Sequence, residues 1–274
     1  MRTFIYYCCL QLCTLWATAQ VVRQPLNPLQ TGIGTYTQLH TDAFSFTANQ
    51  AALANISAFT AGVYGERRFM LEDLGWYQAA VVLPTKSGHF GVKGTYFGSV
   101  NNKETELGLA YGRKLSDKIA VGAQFNYYTQ QIPQYGSLSA ISIEGGILLK
   151  VNEQLQAGFH VYNPNGSSLG KNGEKLPAMY TIGIGYEASE QLVMAAEVQK
   201  TESEKMNLKA GLSYYFDKKL YAKAGLTTIN SLYSLGVGVK LDALSLEVLT
   251  SFHQQLGLTP GIAFIFHKKE KKKL

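Results

Sequence analysis

One pattern constrains this chain more than any other. Apolar and polar residues alternate with period two, in segment after segment, along most of its length. In 231–241, Tyr233, Leu235, Val237, Val239 and Leu241 share one face, against Ser234, Gly236, Gly238 and Lys240. In 206–216, Met206, Leu208, Ala210, Leu212, Tyr214 and Phe216 oppose Asn207, Lys209, Gly211, Ser213 and Tyr215. Residues 118–128 set Ile119, Val121, Ala123, Phe125 and Tyr127 against Lys118, Gly122, Gln124 and Asn126. Residues 154–162 set Leu155, Ala157, Phe159 and Val161 against Gln154, Gln156, Gly158 and His160. Successive side chains of a strand point to opposite faces, so each segment reads as a strand with one greasy and one polar side. Beyond the leader, no stretch approaches the ~18 to 20 apolar residues of a membrane-crossing helix.

A water-soluble sandwich alternates too, so other features must decide. The segments run about 9 to 11 residues, the length a tilted strand needs to cross a bilayer, where soluble strands average about 5 to 6. Aromatics gather toward segment ends (Tyr111, Tyr127-Tyr128, Tyr186, Tyr214-Tyr215-Phe216), as in the girdles of membrane barrels. The polar faces carry Gly, Gln, Ser, Lys and Glu, a composition suited to a wet lumen. Only 16% of the residues are charged, against about 25% in soluble domains. Connections alternate as well. Short ones near 84–87, 114–116, 150–153, 187–190, 217–218 and 241–242 interleave with mostly longer ones at 65–73, 99–103, 130–137, 163–176, 201–205, 228–230 and 253–255. These features predict an all-β, transmembrane antiparallel β-barrel of about fourteen strands. The strands are placed at 58–65, 74–83, 88–98, 104–113, 117–129, 138–149, 154–162, 177–187, 190–200, 206–216, 218–227, 231–240, 243–252 and 256–267. An even number puts both ends of the barrel domain, 58–267, on the periplasmic side. Pro260 falls inside the last strand and calls for a bulge or bend there.

Residues 1–19 read as a cleaved secretory signal, with Arg2, an apolar stretch from Phe4 to Trp16, and Ala17-Thr18-Ala19 ahead of the cut. The competing readings are a buried N-terminal helix and a lipidated Cys13, although Leu12 is larger than such sites prefer. Cys8, Cys9 and Cys13 all lie in this leader, so the exported chain is expected to have neither disulfides nor thiolate chemistry. Residues 20–57 do not alternate. Thr47–Ala54 resembles a short helix, and 20–57 is read as a periplasmic or lumen-inserted segment able to plug the barrel.

The same segment carries a family signature. Asp42-Ala43-Phe44 followed by Asn49, Gln50, Ala51, Ala52, Leu53 and Ala54 resembles the "NPAGLA/NPAAL" stretch of fatty-acid-transporter-like (FadL-type) outer-membrane proteins. The related PorV/PorQ family of the type IX secretion system has it too. Val161-Tyr162-Asn163, a polar loop, Leu176-Pro177 and Ile182-Gly183-Ile184-Gly185-Tyr186 resemble a second PorV/PorQ pattern. Gln50 stands where the family usually has proline. The resemblance implies a fourteen-stranded barrel with its N-terminal segment in the lumen. It also implies either passage of small hydrophobic compounds or a non-enzymatic partnership in protein export and surface attachment.

Alternation turns a set of charges toward the interior: Lys93, Glu104, Glu106, Lys118, Glu144, Glu197, Lys209, Lys223, Lys240 and Glu247. They either cross-link the interior or line a polar path. Glu197 and Lys209 fall opposite each other across the 201–205 loop. No catalytic, cofactor or metal constellation stands out. The five histidines are scattered, and Gly183-x-Gly185 and Gly236-x-Gly238 are alternate strand positions with no helix after them to bind phosphate.

The formal charge of +6 resides mainly at the ends, in Arg2 and the lysines of 268–274. That basic periplasmic tail suits anionic outer-membrane lipid or a protein partner better than nucleic acid. The function expected is a non-enzymatic outer-membrane barrel in transport or export. Its rivals are a non-conducting subunit of a secretion or surface complex and a soluble exported all-β structural or adhesion protein.

Overall fold

The computed structural model describes residues 32–99, 102–133, 136–170, 175–202 and 204–268. The leader expected at 1–19, residues 20–31 of the expected lumen segment and the tail lysines beyond Lys268 lie outside them. Fourteen antiparallel strands close into one barrel. They are β1 (Thr60–Arg67), β2 (Gly75–Pro84), β3 (His89–Ser99), β4 (Asn102–Lys114), β5 (Ile119–Ile132), β6 (Gly136–Lys150), β7 (Leu155–Tyr162), β8 (Met179–Glu187), β9 (Leu192–Thr201), β10 (Asn207–Tyr215), β11 (Leu220–Thr227), β12 (Leu232–Leu241), β13 (Leu244–His253) and β14 (Gly257–His267). Each pairs with its neighbour in sequence, and β1 closes on β14 from Thr60↔His267 to Glu66↔Gly261. Closure leaves no sheet edge, the condition for placing a sheet in lipid.

Burial is inverted relative to a water-soluble domain. Inside, Gln124, Asn126, Ser142, Glu144, His160 and Glu247 are buried, while Leu107, Phe125, Ile141, Ile182, Leu235 and Val248 stand exposed outside. In β8 the alternation is strict, with every second residue from Met179 to Glu187 buried. A continuous apolar belt of this extent is not tolerated by water but is what hydrocarbon requires. Exposed aromatics border the belt at both ends. Phe90, Tyr186, Phe216 and Phe266 lie near the end that carries both termini of the barrel, and Tyr77, Tyr180, Tyr233 and Phe252 near the other.

The terminal end has only tight connections, at 85–88, 115–118, 151–154, 188–191, 216–219 and 242–243. The opposite, loop end carries the long 163–178 connection, where Asn163 Nδ2 donates to the Leu176 carbonyl at 2.6 Å. That bond ties the two halves of the Asn…Leu-Pro pattern together. Leu169 and Leu176 pack on Tyr128 and Ala140.

Two local expectations are revised. Pro260 sits opposite Thr250 without a bulge. The β1 ladder stops at Gly261, so on that side the proline has no bond to break. The helix expected over Thr47–Ala54 is instead a pair of 3-10 turns, Ser45–Thr47 and Gln50–Asn55, preceded by the short helix α1 (Gly32–Thr35).

Candidate functional site in the lumen

Residues 32–56 are seated inside the barrel. Ala43, Phe44, Phe46, Ala51, Ala52 and Leu53 are fully buried, although the wall around them is mostly polar by sequence. The wall accommodates them by omitting side chains. A Cβ on Gly62 would fall 2.7 Å from the Phe44 ring, on Gly91 2.9 Å from Phe46, and on Gly112 2.7 Å from the Gln50 carbonyl. Gly122 and Gly146 abut Gln50 and Asn49, while Gly158, Gly183 and Gly185 abut Tyr36. Glycines of β1 and of β3 through β8 thus form a smooth collar, and the segment reaches both sides of it. Glycine is the residue that permits such close approach.

Polar anchors fix the segment at three places. The Asn49 side chain accepts from the Ala51 amide at 3.1 Å, capping the 3-10 turn. Its amide group donates to the carbonyls of Ile147 and Phe159 at 3.3 and 3.1 Å. The Gln50 amide donates to Glu144 Oε2 at 2.6 Å. One oxygen of Glu187 accepts the backbone N–H groups of Gln38 and Leu39, both at 2.9 Å.

Toward the loop end the lumen becomes ionic, and Glu144 is its hub. Its Oε1 accepts from Asn126 at 2.6 Å and from Gln124 at 3.0 Å, and lies 3.4 Å from Lys93 Nζ. His160 Nε2 is 3.0 Å from Oε2. Lys93 also meets Glu106 at 2.8 Å. Nearer the terminal end, beside the seated segment, Glu247 holds Lys223 at 2.8 Å and the Tyr221 hydroxyl at 2.6 Å. Glu197 stands in register with Lys209, 3.7 Å away. Lys240, at the terminal end of β12, is half-buried over the rings of Tyr215 and Tyr221, at 4.7 and 5.6 Å from their centroids. Glu104 is buried on the inward face of β4.

Lys118 is the exception among the charges assigned to the interior. It is exposed in the β4–β5 turn, because β5 begins one residue later, at Ile119. Its phase fits the inward face, but no strand remains there to aim it.

Three titratable groups of the seated segment, Tyr36, His40 and Asp42, have shifted equilibria, and burial raises the Tyr36 hydroxyl. Burial, reinforced by nearby Lys240 and Lys223, lowers the His40 imidazole to about 4. Its ring stacks on Tyr215 at 4.2 Å. Burial raises the Asp42 carboxyl, which accepts from the amides of Phe44 and Ser45 at 2.9 and 3.0 Å.

Sequence reasoning did not find Glu187, Glu66 or Arg68. Glu66 accepts from the Tyr64 hydroxyl at 2.8 Å and pairs with Arg68 Nε at 3.0 Å, and Arg68 lies over Phe97. The signal for Glu66 was its phase: it continues the inward series Gly62, Tyr64 into what read as a connection. Glu187 likewise continues Thr181, Gly183, Gly185.

No protein-family model matches the chain, and no curated protein matches it. Solved structures do. The Ralstonia pickettii toluene transporter TbuX superposes with a TM-score of 0.63 at 12% identity, covering 89% of this chain and 98% of its own. A Pseudomonas aeruginosa FadL homologue gives 0.62 at 12% identity, covering 91% and 98%. The monoaromatic hydrocarbon channel CymD gives 0.62 at 11%, covering 89% and 98%. At such identities the likeness is one of fold.

Proposed function

We propose that the chain is an outer-membrane transport barrel for small hydrophobic compounds, closed at rest by residues 32–56. The observation that carries this reading is the seated segment itself. It reaches across the lumen at the terminal end, rests on glycines, and is tied by a few replaceable hydrogen bonds. Its apolar residues, Phe44, Phe46 and Leu53, are those an apolar cargo could exchange for. The shared fold with two proteins described as a toluene transporter and a monoaromatic hydrocarbon channel supports the cargo class. In this reading the terminal end faces the periplasm, the loop end faces outward, and no reaction is catalysed.

Permeation by the purified protein in liposomes tests the proposal. Deleting residues 32–50 should raise uptake of a small aromatic hydrocarbon and of small antibiotics well above that of the intact chain. Unchanged permeability to both would remove the segment from any gating role.

A second reading has its own support. The ion pairs centred on Glu144 and Glu247 brace the lumen, as expected of a barrel that never opens and serves as a subunit in a PorV/PorQ-like secretion or surface complex. No conductance from the deleted form, together with a stoichiometric protein partner in mild detergent, would favour that reading.

A further inference from the structure

The outer wall is not uniform. Across β14, β1, β2, β3, β4 and β5 it carries a hollow of about 690 Å3, in the half nearer the loop end. Its floor is Ala79 and Gly94, directly paired between β2 and β3. A Cβ on Gly94 would meet no atom within 4 Å, so the space above it is open. Val63, Tyr77, Tyr96 and Leu107 wall it, and all four lie on the lipid-facing side of their strands.

Above the hollow, two outward positions nearer the loop end are cationic. Glu66 and Glu104 are buried inward, so their neighbours Arg67 and Lys103 take the outer face. In register between them stand two glycines, with Arg67 opposite Gly75 on one side and Lys103 opposite Gly98 on the other. The Tyr77 ring lies across Gly65 and Gly75, its hydroxyl toward Gly75 and so toward the cationic row. From Arg67 to Val63 is four residues, about 13 Å of strand. The order along the wall is therefore cation, aromatic, apolar hollow, the sequence of chemistries that a lipid presents from head group to chain.

We infer that this sector binds one anionic lipid of the outer leaflet, with its phosphorylated head group on Arg67 and Lys103 and an acyl chain over Gly94. Arg67 now meets Glu72 at 3.7 Å, with side chains 50% and 86% exposed. So open a pair yields readily to a phosphate, which accepts charge-assisted bonds from a guanidinium. The inference rests on the membrane orientation proposed above, but it needs no transport.

The test uses the full chain in mild detergent, with diphosphorylated lipid A as the probe and native mass spectrometry as the readout. The wild type should retain one lipid A and lose it with rising salt. Arg67→Ala/Lys103→Ala should weaken retention at least tenfold. Gly94→Leu projects into open space, so it should fold normally, as a heat-dependent gel shift would verify, and still weaken retention. Equal retention by all three proteins, or equal retention of dephosphorylated lipid A, would overturn the site. A lipid-free dimer would assign the hollow to a second copy and overturn it too. A failure here leaves hydrocarbon uptake untouched, and a barrel without uptake can still hold the lipid.

Discussion

The two halves of the lumen exclude water by different means. Toward the terminal end, glycines face an apolar segment whose fit depends on shape and three polar anchors. Toward the loop end, charged and amide side chains from β3 through β7 bind one another along the wall. Removing one group from the shape-fitted half leaves a small gap or a small clash. Removing one from the ionic half leaves charges buried without partners. The first kind of packing suits an element that leaves and returns, and the second suits a wall that keeps its form while it does so.

Glu144→Ala should have the largest effect. It strands His160 and three amide donors and leaves Lys93 with Glu106 alone, a loss of about 3–5 kcal/mol, and should lower the heat-unfolding midpoint seen by gel shift. An unchanged midpoint would erase the distinction between the halves. Next comes Gly146→Val, whose added atoms collide with Asn49. Overpacking of about 1–3 kcal/mol should push the segment out while the barrel stays folded, so protease should reach residues 32–56. Continued protection would mean that the collar yields more easily than glycine packing suggests. Asn49→Ala removes a cap and two carbonyl contacts, roughly 1–2 kcal/mol, and should raise permeability without altering barrel melting.

Acid offers a finer probe. The His40 imidazole is lowered in the seated state, so protons bind preferentially once the segment is released. Its contribution is complete above the ordinary histidine value of about 6.5 and is lost as pH falls toward 4. Asp42, raised by burial, has the opposite sign. The difference in leak between wild type and His40→Gln therefore isolates the histidine, and only the wild type should show the added leak between those pH values. Lys150→Ala should matter least. Its partner Glu153 is 87% exposed in the turn after β6, and a loss of about 0–1 kcal/mol should leave both leak and melting near wild type.

The barrel was legible because lipid enforces one rule on every strand. Alternation fixes which face is which, and the closed sheet leaves no room for a phase error, so β8 and β12 follow directly from Thr181–Glu187 and Tyr233–Leu241. Strand ends were less legible, since phase persists past the last ladder bond. That is why Lys118 carried the inward pattern into a turn, and why Glu66 and Glu187 were lost to connections. Least legible was the seated segment. Asn49–Leu53 stood out as a motif, but the partners Ile147, Phe159 and Glu144 lie some hundred residues away, and the glycines that receive it look in sequence like any alternate strand position.

The link between the segment and the wall sets the kinetics of any opening. Ile56 ends the seated stretch and Thr60 begins β1, so only 57–59 joins them, and Phe59 is itself held by the Lys268 amide at 2.9 Å. On so short a leash the segment swings and cannot wander. Its effective concentration at the collar stays on the order of millimolar or above, so each opening would end by a first-order return, independent of how much protein the membrane contains.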